Sequence, residues 1–389
     1  MIISITNAAR ETAVVAFGIL LTMAITARGS KRKSLFPLEV TNELKGLAIL
    51  MIVLSHIGYF LVSDRQFLVP LSNYAGVGVD LFLALSGFGL VASALRKPLS
   101  AGQFYLKRLP RIYLPVALVL LIFLILDAFF LHQTYPIKTT LMNLAGIFPR
   151  ADLYNDINSP MWFITFLLVN YLLFPFIFRR RFPALSALAM TLAVLLFDLG
   201  IPRLNLLSPN LNQFYKLHFL SFPLGMLFAA LLNQPSALLK TTIDNLRSKI
   251  KHPYASTVLR LVGLIFAGFT LYYFYYHSQV GRGWQLEAAA SLANVIAILV
   301  IFILKKINFG ALAIFGAFSF EIYLLHWPLL WRYNLLFGRL PAGVATLIYL
   351  GIFIGLGYLF KNLINKILRI TKYCDIYEKI HNAALRMKK

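Results

Sequence analysis

The residues best placed to do chemistry are His56 and Asp80, each delivered into a stretch too apolar for anything but a membrane span. Leu47-Ala-Ile-Leu-Met-Ile-Val-Leu54 leads into Ser55 and His56, and Gly76-Val-Gly-Val-Asp-Leu-Phe-Leu-Ala-Leu-Ser-Gly-Phe88 carries Asp80. A titratable side chain in hydrocarbon costs at least about 2.5 kcal/mol on insertion scales, so two of opposite character on adjacent spans point to chemistry rather than packing. On a helix entering near Leu44, His56 lies about 12 residues in, or roughly 18 Å, and Asp80 lies about five residues in from the opposite side. The pair is expected to face one another in the outer half of the bundle. There the carboxylate would fix the imidazole tautomer and stabilise the imidazolium formed when a hydroxyl proton is taken. The plainer alternative is a structural histidine bonded to a backbone carbonyl.

A second group closes a later apolar segment, Phe318-Ser-Phe-Glu-Ile-Tyr-Leu-Leu-His-Trp-Pro328. Glu321 and His326, five positions apart in one span, need a polar cavity to serve. Trp162, in Ser159-Pro-Met-Trp-Phe163, and Trp327 fit interfacial aromatic anchors. Lys107-Arg108-Leu-Pro-Arg111 and Lys45 stand at one mouth of their spans. Guanidinium groups bind phosphate oxygens in bidentate fashion, so this is a candidate phosphate site as well as an ordinary topological anchor. Gly76-Val-Gly-Val-Asp80 lacks the preceding strand and third glycine of a dinucleotide loop, so Gly76, Gly78, Ser86, Gly87 and Gly89 read as close helix contacts or ligand space. The single cysteine, Cys374, permits no intramolecular disulfide and no Cys-based metal site, and no metal is expected.

These residues must be positioned by a membrane bundle. The chain has 389 residues, 59% of them hydrophobic and 13% charged, with a mean hydropathy of +0.75, values foreign to a solvated domain. Eleven segments approach the length needed to cross hydrocarbon: about 11 to 27, 44 to 63, 75 to 95, 112 to 132, 160 to 178, 184 to 201, 215 to 232, 257 to 277, 285 to 304, 309 to 331 and 341 to 360. The predicted fold is all-α, a polytopic bundle of about 10 to 11 transmembrane helices. The first segment also reads as a signal peptide, but its charges, Arg10 and Glu11, are placed unlike one, and a retained span with its N-terminus outside is favoured.

The formal charge of +23 does not call for nucleic acid. With the N-terminus outside, 28 of the 37 Lys and Arg residues fall on the cytoplasmic side, the pattern of the positive-inside rule. The outward segment 133 to 159 is the largest loop and a natural place to meet a polar acceptor. The basic, amphipathic tail from Lys361 suits the anionic inner leaflet.

Leu44-Lys-Gly-Leu-Ala48 with His56, Gly78-Val-Asp-Leu-Phe82 with Ser86-Gly-Phe88, and Phe104 with Arg108, Arg111 and Pro115 together resemble acyltransferase family 3 of bacterial membrane O-acyltransferases. Met161-Trp-Phe163 and Ser319 to Pro328 look like that family's later motifs in the same order, so the resemblance spans about residues 40 to 332. It implies about ten helices in the bacterial inner membrane. The implied activity is transfer of an acyl group, typically from acetyl-CoA or another acyl-CoA, to hydroxyls of surface glycans or lipid-linked sugars. It implies that His56 is the essential histidine, that Arg108 and Arg111 lie near the coenzyme, and that Asp80 supports the site. The family usually has arginine eleven positions before the histidine, where this chain has Lys45, which keeps the charge without the bidentate fork.

The expected organisation is an extension over 1 to 40, an acyltransferase-like membrane unit over 41 to 360 and a basic cytoplasmic tail over 361 to 389. His56 and Asp80 are the expected catalytic residues. Lys45, Arg108 and Arg111 are expected to hold acyl-CoA, a co-substrate rather than a tightly bound cofactor, and Ser86, Trp162, Glu321 and His326 to meet the acceptor. Direct transfer is favoured, with Ser86 as a covalent relay the alternative. A reading of another class is a transporter or flippase whose intramembrane His, Asp and Glu form a proton relay.

Overall fold

Backbone groups in hydrocarbon have no water to bond and must satisfy one another within each segment, so the apolar stretches become helices. The computed structural model describes residues 3–30, 36–62, 66–69, 71–200, 208–233, 253–276 and 283–371. In chain order the helices are α1 (Ala8–Ile25), α2 (Leu38–Ser55), α3 (Ala75–Arg96), α4 (Ala101–Arg108), α5 (Pro110–Phe130), α6 (Ile137–Leu144), α7 (Trp162–Ile177), α8 (Pro183–Gly200), α9 (Pro209–His218), α10 (Ser221–Asn233), α11 (Pro253–Tyr276), α12 (Trp284–Leu304), α13 (Gly310–Ala317), α14 (Ser319–Trp331) and α15 (Ala342–Ile370). Among the described residues nine helices are long and apolar enough to cross a membrane, and the bent pair α13 and α14 makes a tenth. The shorter apolar helix Pro183–Phe197 coincides with the remaining expected segment. Cys374 and the cluster Lys240 to Lys251 lie outside the described residues.

Helices α2, α3, α10 and α13 form the centre, and glycines set how closely they approach. A Cβ on Gly46 would collide with the Leu312 carbonyl, one on Gly316 with that of Asn42, one on Gly87 with that of Phe222 and one on Gly225 with that of Ala84. Backbone therefore lies on backbone at both the α2–α13 and the α3–α10 crossings, as small residues permit between membrane helices. Gly78 packs in the same way on the Ala48 carbonyl, whereas Gly89 faces open space.

Two central spans depart from regular α geometry. Helix α2 widens into a π turn over His56–Leu61, where Gly58 lies under the Phe67 carbonyl and Ser55 Oγ donates to the Leu71 carbonyl at 3.1 Å. The span made by α13 and α14 bends by 76° at its break. Such irregular turns are common at functional sites, and His56 opens the first of them.

The N-terminal segment is stitched to the bundle at both ends. Strands β1 (Ala27–Gly29) and β2 (Ile307–Phe309) form an antiparallel ribbon with Ala27 opposite Phe309. At the other end the Gly343 amide donates to the Glu11 carboxylate at 2.7 Å, and the Ile3 amide to the Leu61 carbonyl at 3.0 Å. Helix α15 runs on without a break through Lys361 to Ile370.

Candidate active site

His56 does not pair with Asp80. Its Nδ1 lies 2.8 Å from His326 Nε2 on α14, and the direction of that bond follows from the next one along. His326 Nδ1 lies 2.8 Å from the Tyr323 carbonyl and 3.2 Å from that of Ile322. A carbonyl only accepts, so Nδ1 carries the hydrogen, and the Nε2 of a neutral His326 is an acceptor. His56 Nδ1 is then the donor, and His56 Nε2 keeps a free lone pair. A backbone carbonyl, relayed through a second imidazole, thus fixes the tautomer that sequence reasoning assigned to a carboxylate.

The segment from Leu153 to Pro160 holds α14 in this register. Asn158 Nδ2 donates to the Leu324 carbonyl and Trp327 Nε1 to that of Leu153, both at 2.7 Å, and the Tyr323 hydroxyl bonds the Pro160 carbonyl. Trp327, only 2% exposed, is therefore part of the core and not an interfacial anchor. At the end of α14 the guanidinium of Arg332 bonds the buried Asp127 carboxylate, the Tyr135 hydroxyl and the Ile157 carbonyl, and Tyr333 donates to Asp127 at 2.7 Å. Burial, together with the bond to Asp127, pushes the Tyr135 phenol above its ordinary range, so it remains a donor.

Asp80 has a different set of partners. Its Oδ1 accepts from His218 Nδ1 at 2.8 Å and from Ser221 Oγ at 2.5 Å, and its Oδ2 accepts from Ser291 Oγ. Both serines donate to the carboxylate instead of to the imidazole, so this is not a Ser-His-Asp nucleophile arrangement. Two of the groups that hold Asp80, His218 and Ser291, nevertheless join His56 in lining one cavity of about 410 Å³, the size of a small-molecule site. Its wall includes Tyr59, Trp162, His218, Ser291 and Asn294. Trp162, expected to meet the acceptor, is on this wall, stacked on the His218 ring at 5.7 Å between centroids.

The remaining expected residues lie toward the basic end. Glu321 faces Lys45 and Lys361, away from the histidines, because five residues of helix carry a side chain well round the axis. Ser86 faces the Tyr171 hydroxyl beside Arg108 and is not on the wall of the large cavity. Arg108 lines a second cavity of about 160 Å³ with Lys97, Arg180 and Phe104, and its buried Nε has no partner. Arg111 is exposed and outside that cavity.

Sequence reasoning missed His218, although the signal that marked His56 was present: a histidine inside an apolar segment, here 215 to 232. The model of acyltransferase family 3, described as an acyltransferase domain, matches residues 42–361, a stretch that contains both cavities and every residue of the two histidine clusters. No curated protein and no solved structure matches the chain. With most of its length matched and its site assembled inside a polytopic helical bundle, the chain belongs to acyltransferase family 3 and is a membrane acyltransferase.

Proposed function

We propose that the protein transfers an acyl group, acetyl in the simplest case, from acyl-CoA to a hydroxyl of a cell-surface or lipid-linked glycan. The observation that carries this reading is the chain from Tyr323 carbonyl through His326 to His56, which leaves a basic nitrogen on a residue of the cavity wall. His56 Nε2 takes the hydroxyl proton as the oxygen attacks the thioester carbonyl. The carbon–sulfur bond then breaks, and the departing thiolate takes the proton from the His56 imidazolium to leave as the thiol, so the base is restored. The alternation of aromatic and polar groups on the wall suits a sugar, whose ring faces stack and whose hydroxyls need partners.

In this reading Arg108, with Lys97 and Arg180, receives coenzyme phosphates, and Lys45 lies nearby. The basic end is cytoplasmic, with the C-terminus there, and the 133 to 159 loop faces outward in a bacterial inner membrane. Asp80 acts one contact away from the cavity, by holding His218. The test is purified protein in nanodiscs with radiolabelled acetyl-CoA, alongside mass spectrometry of surface glycans with and without the chain. Transfer of label to a glycan, lost at least about 10²-fold in His56→Ala at normal abundance, is the expected result. Gradient-driven uptake of substrate into vesicles without label transfer would replace the reading with transport.

A further inference from the structure

The wall of the large cavity formed by α9 and α12 holds two hydrogen-bond acceptors that no group among the described residues uses. His218 Nδ1 donates to Asp80, a bond that assigns that ring hydrogen to Nδ1 and leaves Nε2 as the acceptor atom of this tautomer. The bond to Asp80 and the Trp162 ring stacked on one face, 5.7 Å between centroids, orient the imidazole. Asn294, 4% exposed, is one helical turn beyond Ser291 on the same face of α12. Its Nδ2 donates to the Ala290 carbonyl at 3.0 Å, which fixes the amide orientation and leaves the buried Oδ1 without a partner. Buried acceptors are normally satisfied, and an orphan on a cavity wall is a vacancy for a donor. Asp80 already accepts three hydrogen bonds, so it aligns this wall without offering itself to a ligand.

We propose that His218 and Asn294 form a specificity subsite that accepts hydrogen bonds from hydroxyls of a polyhydroxylated acceptor other than the hydroxyl being acylated, and so orients the acceptor toward His56. The proposal rests on the acyl-transfer reading above and adds the groups that select the acceptor. His218 and Asn294 are positioning residues, so their signature is in KM and in selectivity, whereas His56 acts on the chemical step.

The experiment compares radiolabelled acetyl transfer by the full chain in nanodiscs to two kinds of probe: methyl glycosides of glucose, galactose and mannose, and 1-hexanol, which has a single hydroxyl. His218→Asn keeps an amide donor against Asp80 and removes Nε2. Asn294→Leu removes the unpartnered Oδ1 and, with it, only the bond of Nδ2 to the Ala290 carbonyl one turn back in the same helix, and thermal unfolding of the variant checks that the bundle is intact. Each variant is expected to lower the ratio of kcat/KM for the preferred glycoside to that for 1-hexanol by about tenfold, through KM, the scale of one lost hydrogen bond. An unchanged ratio in both variants overturns the subsite while leaving acyl transfer in place. Wild-type transfer to 1-hexanol but to none of the glycosides overturns the subsite in the same way. Absence of transfer to every probe overturns both the function and the subsite.

Discussion

Replacing His326 isolates what the histidine relay contributes. In His326→Leu the His56 Nδ1–H loses its acceptor at 2.8 Å, and the neutral ring is free to place its hydrogen on either nitrogen. The larger loss comes during the reaction, when His56 becomes an imidazolium and its Nδ1–H bond becomes charge-assisted. A hydrogen bond to a charged group contributes about 1.5–3 kcal/mol, and each 1.36 kcal/mol is tenfold in rate, so kcat should fall roughly 10- to 150-fold. KM for acetyl-CoA should change little, because His326 is remote from the basic end. His326→Gln, whose amide oxygen can accept from Nδ1, should recover most of the rate. The assay is radiolabel transfer in nanodiscs at saturating donor, with thermal unfolding of each variant to confirm that the bundle is intact. A kcat within twofold of wild type in a folded His326→Leu variant, with His56→Ala inactive, would refute the relay.

Three further outcomes follow from the arrangement. Reporter fusions at Lys389 and Asn155 should place the tail in the cytoplasm and the loop outside, and an extracytoplasmic signal at Lys389 would overturn the topology. Arg108→Lys should raise the apparent KM for acyl-CoA several-fold while preserving insertion, whereas Arg111→Lys, exposed and outside the second cavity, should shift it far less; equal effects in donor-concentration kinetics would place the coenzyme elsewhere. Gly225→Val should cost at least about 1–3 kcal/mol by forcing α3 and α10 apart, with Gly89→Val, which faces open space, nearly neutral, as read by melting temperature in detergent.

The sequence revealed elements better than it revealed partners, for a geometric reason. Apolar runs mark where a helix lies, so the eleven expected segments fall on nine described helices long enough to cross, one bent pair and one shorter apolar helix. Which way a side chain faces depends on packing between helices far apart in the chain. His56 and Asp80 lie on neighbouring helices, yet one turns to His326, 270 residues on, and the other to His218, 138 residues on. The widening of α2 at His56 and the bend between α13 and α14 add local rotations that a regular helical wheel does not anticipate. Glu321 and His326 illustrate the same limit: close in sequence on one helix, they face different partners, Lys45 and Lys361 for the first and His56 for the second.

The sequence distance between the members of each buried polar group has a consequence for synthesis. Asp127 enters the bilayer with α5, but Arg332 is 205 residues later, and at about 5–20 residues per second the carboxylate waits roughly 10 to 40 s for its partner. Glu43 waits longer still for Lys305, 262 residues on. During that interval Asp127 has the Tyr135 hydroxyl, eight residues on, as a partner, while the opposite charge for each carboxylate has not yet been made. The two ion pairs therefore close only after α12 and α14 have been made. An interruption of translation before α14 would leave in the membrane a chain whose carboxylates mark it as unfinished.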